Sequence, residues 1–228
     1  MSYIFDPAET PSVAIEGREE RFPVHRIYCV GRNYAKHARE MGKDPDRDPP
    51  FFFTKPADAV IPSGADVPYP PQTENFHHEI ELVVAIGKEG KDIPEDAVHD
   101  HIYGYAVGND LTRRDLQLAA RDKGRPWDTG KAFDFSAPIT PIRPASEIGH
   151  PERGRIWISV NGDVKQDGDL EELIWDVKEV VSILSGLFTL KPGDLIYTGT
   201  PAGVGPVNRG DELVGGVDSV GELRNRIV

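Results

Sequence analysis

The ten residues His78-Glu79-Ile80-Glu81-Leu82-Val83-Val84-Ala85-Ile86-Gly87 constrain the fold more than any other stretch of the chain. Side chains alternate between the two faces of a strand. Ile80, Leu82, Val84 and Ile86 therefore make one apolar face, while Glu79 and Glu81 share the other with Val83 and Ala85. Both faces are apolar beyond residue 82, so the strand is predicted to run into the core with two carboxylates at its entrance. Composition agrees with a strand-rich chain. With 23 glycines and 20 prolines in 228 residues, a helical bundle would be interrupted too often. At 38% hydrophobic residues, spread in runs along the chain, the sequence is too apolar for disorder. The length suits one large domain, or one and a half.

Further strands are predicted at Ser12–Ile15, Val24–Val30, Phe51–Pro56, Ile102–Gly108, Arg155–Val160 and Asp194–Tyr197, with short ones in the C-terminal tail. Phe51–Pro56 reads as a buried strand ended by proline, and Asn161-Gly162 as a hairpin turn. Three short helices are expected. One runs over Gly31–Gly42 with Asn33 as N-cap, followed by an exposed loop to Pro50. The second runs over Thr112–Asp122 with Thr112 and Asp115 as a capping box. The third carries Val177, Val180, Val181, Leu184 and Leu187 at helical spacing behind Asp176 and Glu179.

A net charge of −12 argues against binding nucleic-acid backbones or anionic membrane surfaces. The single cysteine, Cys29, allows neither an intrachain disulfide nor a cysteine metal cluster, and reads as a small buried apolar residue. No signal-peptide pattern and no membrane-length apolar run is visible, so a soluble, cytoplasmic protein is expected.

Chemistry gathers at a few places. Unpaired, Glu79 and Glu81 would repel, and a hard divalent cation would resolve that; the alternative is a strand end emerging into solvent. Asp110 follows the strand ending at Gly108-Asn109, where it would supply a third carboxylate or simply cap a helix. Together the three suit Mg²⁺ or Mn²⁺ better than zinc, with the nearby His77, His78, His99 and His101 read as structural or solvated. His37 and Glu40 share a helix face at i and i+3, fit for a general base and its orienting carboxylate, or for an ordinary surface pair. Lys131 is a lone cation among apolar residues, able to neutralise an enolate or to snorkel to the surface. The glycine-rich Thr198–Pro206 loop lacks a P-loop ending; it would cradle an anion or form a plain turn.

These pieces occur in a recognisable order. Val30-Gly31-Arg32-Asn33-Tyr34 with His37 and Glu40, Phe53-Thr54-Lys55-Pro56, His78-Glu79-Ile80-Glu81-Leu82, Asn109–Asp115, Lys131 and the Thr198–Pro206 loop together resemble the fumarylacetoacetate hydrolase family. Length and the opening Ser2–Pro7 are most similar to its bacterial members that act on fumarylpyruvate in gentisate breakdown. One departure is Arg113, where relatives often carry a small residue. The resemblance implies an α+β, mostly β fold, a mixed β-sandwich roll with a few short helices. It also implies a homodimer binding Mg²⁺ or Mn²⁺ and a small dicarboxylate keto-acid. Residues 1–24 would be an extension and 25–228 the catalytic domain, including a lid over 31–50. By motif match Glu79, Glu81 and Asp110 would hold the metal. His37, Glu40 and Lys131 would be catalytic, and Arg32, Lys55, Gln117 and Thr200 would contact substrate. The implied reaction is hydrolytic C–C cleavage of a 2,4-diketo acid. Family alternatives are an oxaloacetate decarboxylase or acylpyruvase, and a 2-hydroxyhepta-2,4-diene-1,7-dioate isomerase. A non-catalytic β-rich metal-binding module is the alternative outside enzymes.

Overall fold

A computed structural model describes residues 2–35 and 48–228. Ile80–Ile86 is buried at every position and lies in the middle of an eight-stranded mixed sheet. Its antiparallel neighbours are Asp194–Tyr197 and Ile102–Asn109. Beyond Asp194–Tyr197 come Arg26–Gly31 and the edge strand Phe51–Lys55; beyond Ile102–Asn109 come Ala137–Ile139 and Val60–Pro62. A five-stranded sheet runs in the order Asp163–Asp169, Arg155–Val160, Glu212–Val217, Gly221–Ile227, Asp66–Val67. A small sheet of Thr112–Arg113, Phe76–His78 and Gly205–Pro206 sits beside the end of the central strand. The mostly β class is borne out.

The alternation of the central strand has a direct consequence for packing. Ile80, Leu82, Val84 and Ile86 join one core with Ile156, Ile158 and Leu223 of the five-stranded sheet and Val180, Val181 and Leu184 of the helix Val177–Leu187. Val83 and Ala85 join a second core with Ile27, Cys29, Leu195 and Tyr197. The N-terminal hairpin of Ser12–Ala14 and Arg21–Pro23 closes that second core with Val13, Ile15 and Phe22. Truncating a residue such as Leu82 to Ala would cost about 2–5 kcal/mol, since both sides of the strand are filled.

Helix Val177–Leu187 forms where its periodicity predicts it, and Asp176 and Glu179, expected at its start, make a capping box. The Asn161-Gly162 turn joins Arg155–Val160 to Asp163–Asp169. Cys29 is buried and free.

Four expectations need correction. The strand expected over 78–87 is jointed at Glu79, because Phe76–His78 leaves for the small sheet. Helix 112–122 starts only at Arg114 and has no capping box. Thr112 and Arg113 pair as strand with Phe76 and His77, and Asp115 instead binds Thr73 Oγ1 and the Glu74 N–H. Phe51–Lys55 is an edge strand with only Lys55 fully buried. Single-turn helices at Asp128–Lys131 and Ala145–Ile148 were not anticipated, being too short to show periodicity. Most of the helix expected over Gly31–Gly42 lies outside the described residues. Asn33, its expected cap, uses its amide to bind Thr198 O and both backbone groups of Trp175. Among the described residues no helix is long and apolar enough to cross a membrane.

Candidate active site

The joint at Glu79 brings the acids together. The Glu79 N–H donates to Asn109 Oδ1 at 2.8 Å, and the Asp110 N–H donates to Glu79 O at 2.8 Å. These two bonds lock the end of Ile102–Asn109 onto the start of Ile80–Ile86. Oxygens of Glu79, Glu81 and Asp110 then lie within 4.8 Å of one another, all three residues buried.

Buried carboxylates need compensation. Lys131 Nζ lies 2.8 Å from Glu79 Oε2 and 2.5 Å from Asp110 Oδ2. Lys55 Nζ lies 2.9 Å from Asp110 Oδ1, and Arg114 pairs with Glu79. Burial opposes the Lys131 ammonium, but Asp110 and Glu79 outweigh it and hold its pKa above the ordinary lysine value. Glu81 differs. It accepts the Gly199 N–H at 2.7 Å, and no described lysine or arginine is within ion-pair distance. Burial first, then Asp110 and Glu79, push its carboxyl well above the usual range. Gly199 approaches with φ 105°, and an added Cβ would lie 2.7 Å from Asn33 Cβ, so only glycine delivers that N–H. Three converging hard oxygen donors, one of them short of positive charge, fit a divalent cation of the Mg²⁺ or Mn²⁺ type.

A small cavity of about 20 Å³ lies over the carboxylates, bounded by Arg32, Phe53, Gln117, Trp127 and Thr200. It shares Arg32, Phe53, Trp127 and Lys131 with a larger cavity of about 570 Å³, whose wall adds Phe51, Phe52 and Pro126. The Arg32 guanidinium lies over Phe51 at 5.3 Å and Trp127 at 5.9 Å. Its Nε is buried without a hydrogen-bond partner among the described residues. Burial, with Arg121 adding, lowers its pKa.

Most of the sequence-predicted residues meet here. Glu79, Glu81, Asp110, Lys131, Arg32, Gln117 and Thr200 all border the small cavity. Lys55 is placed differently from the expected substrate contact. It borders neither cavity and lies behind the acids, donating to Leu111 O at 3.1 Å and to Lys131 O besides its pair with Asp110. His37 and Glu40 lie outside the described residues. Sequence reasoning missed Arg114, which also donates to Gln117 Oε1 at 2.5 Å, and it missed Trp127 and Gln166. An arginine opening a helix four residues after Asp110 was a usable signal for the first; nothing local marked the others. Of the nearby histidines, His77 and His78 are each held by a side-chain amide, Asn75 and Gln166. Burial, then Arg114, lowers His77 to about 4.

The model of the fumarylacetoacetate (FAA) hydrolase C-terminal family matches residues 26–228. The chain belongs to the fumarylacetoacetate hydrolase family. Within that family it is 50% identical over 185 residues to fumarylpyruvate hydrolase of a Ralstonia species, covering 80% of this chain and 96% of the relative. It is 42% identical over 201 residues to the mitochondrial oxaloacetate tautomerase FAHD1 of Mus musculus, covering 88% and 90%. The crystal structure of fumarylpyruvate hydrolase from Pseudomonas aeruginosa, in complex with Mn²⁺ and pyruvate, is 56% identical. It superposes with a TM-score of 0.98 over 100% of this chain and 99% of that one. The fold is therefore that of the fumarylacetoacetate hydrolase family throughout.

Proposed function

We propose that this chain is a metal-dependent hydrolase cleaving the C–C bond of a 2,4-diketo acid, with fumarylpyruvate giving fumarate and pyruvate. The observation that carries this reading is the adjacency of two environments. A buried carboxylate triad with Lys131 stands beside an aromatic cavity bearing the Arg32 guanidinium. The identity to the Ralstonia and Pseudomonas relatives supports it.

Glu79, Glu81 and Asp110 would hold the divalent cation, which supplies Lewis-acid charge for the substrate's carboxylate and 2-oxo oxygens. Thr200 binds the substrate carboxylate, and Lys131 offsets negative charge as it develops on the 2-oxo oxygen. Arg32 faces the distal carboxylate. His37, oriented by Glu40, removes a proton from water as it adds to the distal carbonyl carbon. The C3–C4 bond then breaks with its electron pair moving toward the 2-oxo oxygen. Fumarate leaves, and the pyruvate enolate takes a proton at C3. Lys55, behind Asp110, positions the triad.

In the same reading the enzyme is a cytoplasmic homodimer of gentisate breakdown, with residues 1–24 an extension to the catalytic domain 25–228. The FAHD1 relatives support a second reading, an enzyme acting on oxaloacetate. A cavity of about 570 Å³ favours the longer substrate. The test is a panel of fumarylpyruvate, acetylpyruvate and oxaloacetate with Mg²⁺ and with Mn²⁺. Fumarylpyruvate is expected to give the highest kcat/KM, and a preference for oxaloacetate would overturn the hydrolase reading.

A further inference from the structure

Gln166 is the one fully buried residue of the strand Asp163–Asp169. It reaches across from the five-stranded sheet to the edge of the site. Its amide oxygen lies 3.1 Å from the Ile80 N and 2.9 Å from His78 Nδ1. Its amide nitrogen lies 2.7 Å from Pro201 O and 2.8 Å from Thr200 Oγ1. The orientation of this amide is forced. The Ile80 N–H can only donate and Pro201 O can only accept, so the oxygen faces the central strand and the nitrogen faces the loop. Polarity then propagates outward at both ends. His78 Nδ1 must carry a proton, and Thr200 Oγ1 must accept. The Thr200 hydroxyl proton is thereby left to point elsewhere, and it has no acceptor among the described residues. Thr200 borders the small cavity above the carboxylates.

We propose that Gln166 is a positioning residue that sets the hydrogen-bond polarity of Thr200, committing its hydroxyl to donate to an anionic oxygen of the bound keto-acid. Gln166 touches no reacting atom and acts only through Thr200. The inference rests on the reading that the substrate carboxylate binds at Thr200. It explains why a buried amide, rather than a carboxylate or an apolar side chain, joins the two sheets here. A carboxylate would accept from Thr200 and turn its proton away from the cavity. An apolar side chain would leave the Ile80 N–H unpaired and the hydroxyl free to rotate.

The test compares wild type, Gln166→Glu, Thr200→Val and the double variant, as full chains with Mn²⁺. Fumarylpyruvate hydrolysis gives KM and kcat, and calorimetry gives pyruvate affinity. A hydrogen bond made equally in ground and transition states moves KM rather than kcat. Gln166→Glu and Thr200→Val are each expected to raise KM and the pyruvate Kd about tenfold, as fits one lost bond to a charged group. kcat should change less than about threefold. The double variant should be no weaker than Thr200→Val alone. Melting temperatures monitor folding; if Gln166→Glu does not fold, Gln166→Met replaces it, with a smaller rise in KM expected. A folded Gln166 variant with wild-type KM and pyruvate affinity overturns the proposal, as do effects that multiply in the double variant. A wild type that turns over no fumarylpyruvate breaks the functional reading instead, and the pyruvate affinities still decide the role of Gln166.

Discussion

Around the three carboxylates the polar atoms are tied to one another: Lys131 to Glu79 and Asp110, Lys55 to Asp110, Arg114 to Glu79 and Gln117, and the Gly199 N–H to Glu81. The adjoining larger cavity is walled by Phe51, Phe52, Phe53, Pro126 and Trp127, with Arg32 lying across the rings. The two regions share Lys131, Phe53, Trp127 and Arg32, yet they answer different demands. The charged region has little freedom, because any group removed leaves a buried partner uncompensated. The aromatic region holds its shape by contact area, so a change there alters fit without stranding a charge. Chemistry common to many substrates belongs in the first, and discrimination among their distal ends in the second.

Substitutions should separate the two. The largest effect is expected of Asp110→Ala, which removes a carboxylate and strands Lys55 and Lys131. Metal-dependent turnover should vanish, and stability should fall by about 3–5 kcal/mol, read by denaturant titration. A variant that keeps turnover would break the distinction at its strongest point. Lys131→Met should retain Mn²⁺ binding by calorimetry while kcat falls roughly 10²–10³-fold, the scale of a lost charge stabiliser in a dry site. On the aromatic side, Arg32→Leu should lower kcat/KM for fumarylpyruvate by about tenfold or more. For acetylpyruvate, which lacks the distal carboxylate, the same variant should stay within about twofold of wild type. Equal losses on both substrates would move Arg32 into the charged region. Gly31→Ala sharpens the comparison most gently. A methyl group there would overlap the Phe51 ring, so the ring must shift and KM for fumarylpyruvate should rise about threefold with kcat unchanged.

What could be read from the sequence follows the range of the forces involved. Helix Val177–Leu187 was legible because its periodicity and its acidic start at Asp176 and Glu179 are local. Thr112 and Asp115 present the same local pattern, but Phe76–His78 pairs with Thr112 and Arg113 and overrides it. Glu79, Glu81 and Asp110 were legible because strand alternation and one strand end suffice to bring them close. Gln166 was not. It is a lone polar residue in a polar strand, and its partners at His78, Ile80 and Thr200 are distant in sequence. Phe51, Phe52 and Phe53 suggest core by composition, and only the position of their strand at the sheet edge turns them into a cavity wall. Lys55 was expected as a substrate contact, and its reach toward Asp110 from behind is a property of depth that sequence spacing does not carry.

The strand Ile80–Ile86 divides two cores, one on each face. A partition of this kind cannot open by losing a single layer, because its amides stay covered until both cores have come apart. Its backbone hydrogens should therefore belong to the slowest-exchanging class, released only by global unfolding. Glu81 rides on that strand and Glu79 adjoins its first residue. Local breathing elsewhere in the molecule would leave the spacing of these two carboxylates intact for as long as the protein remains folded.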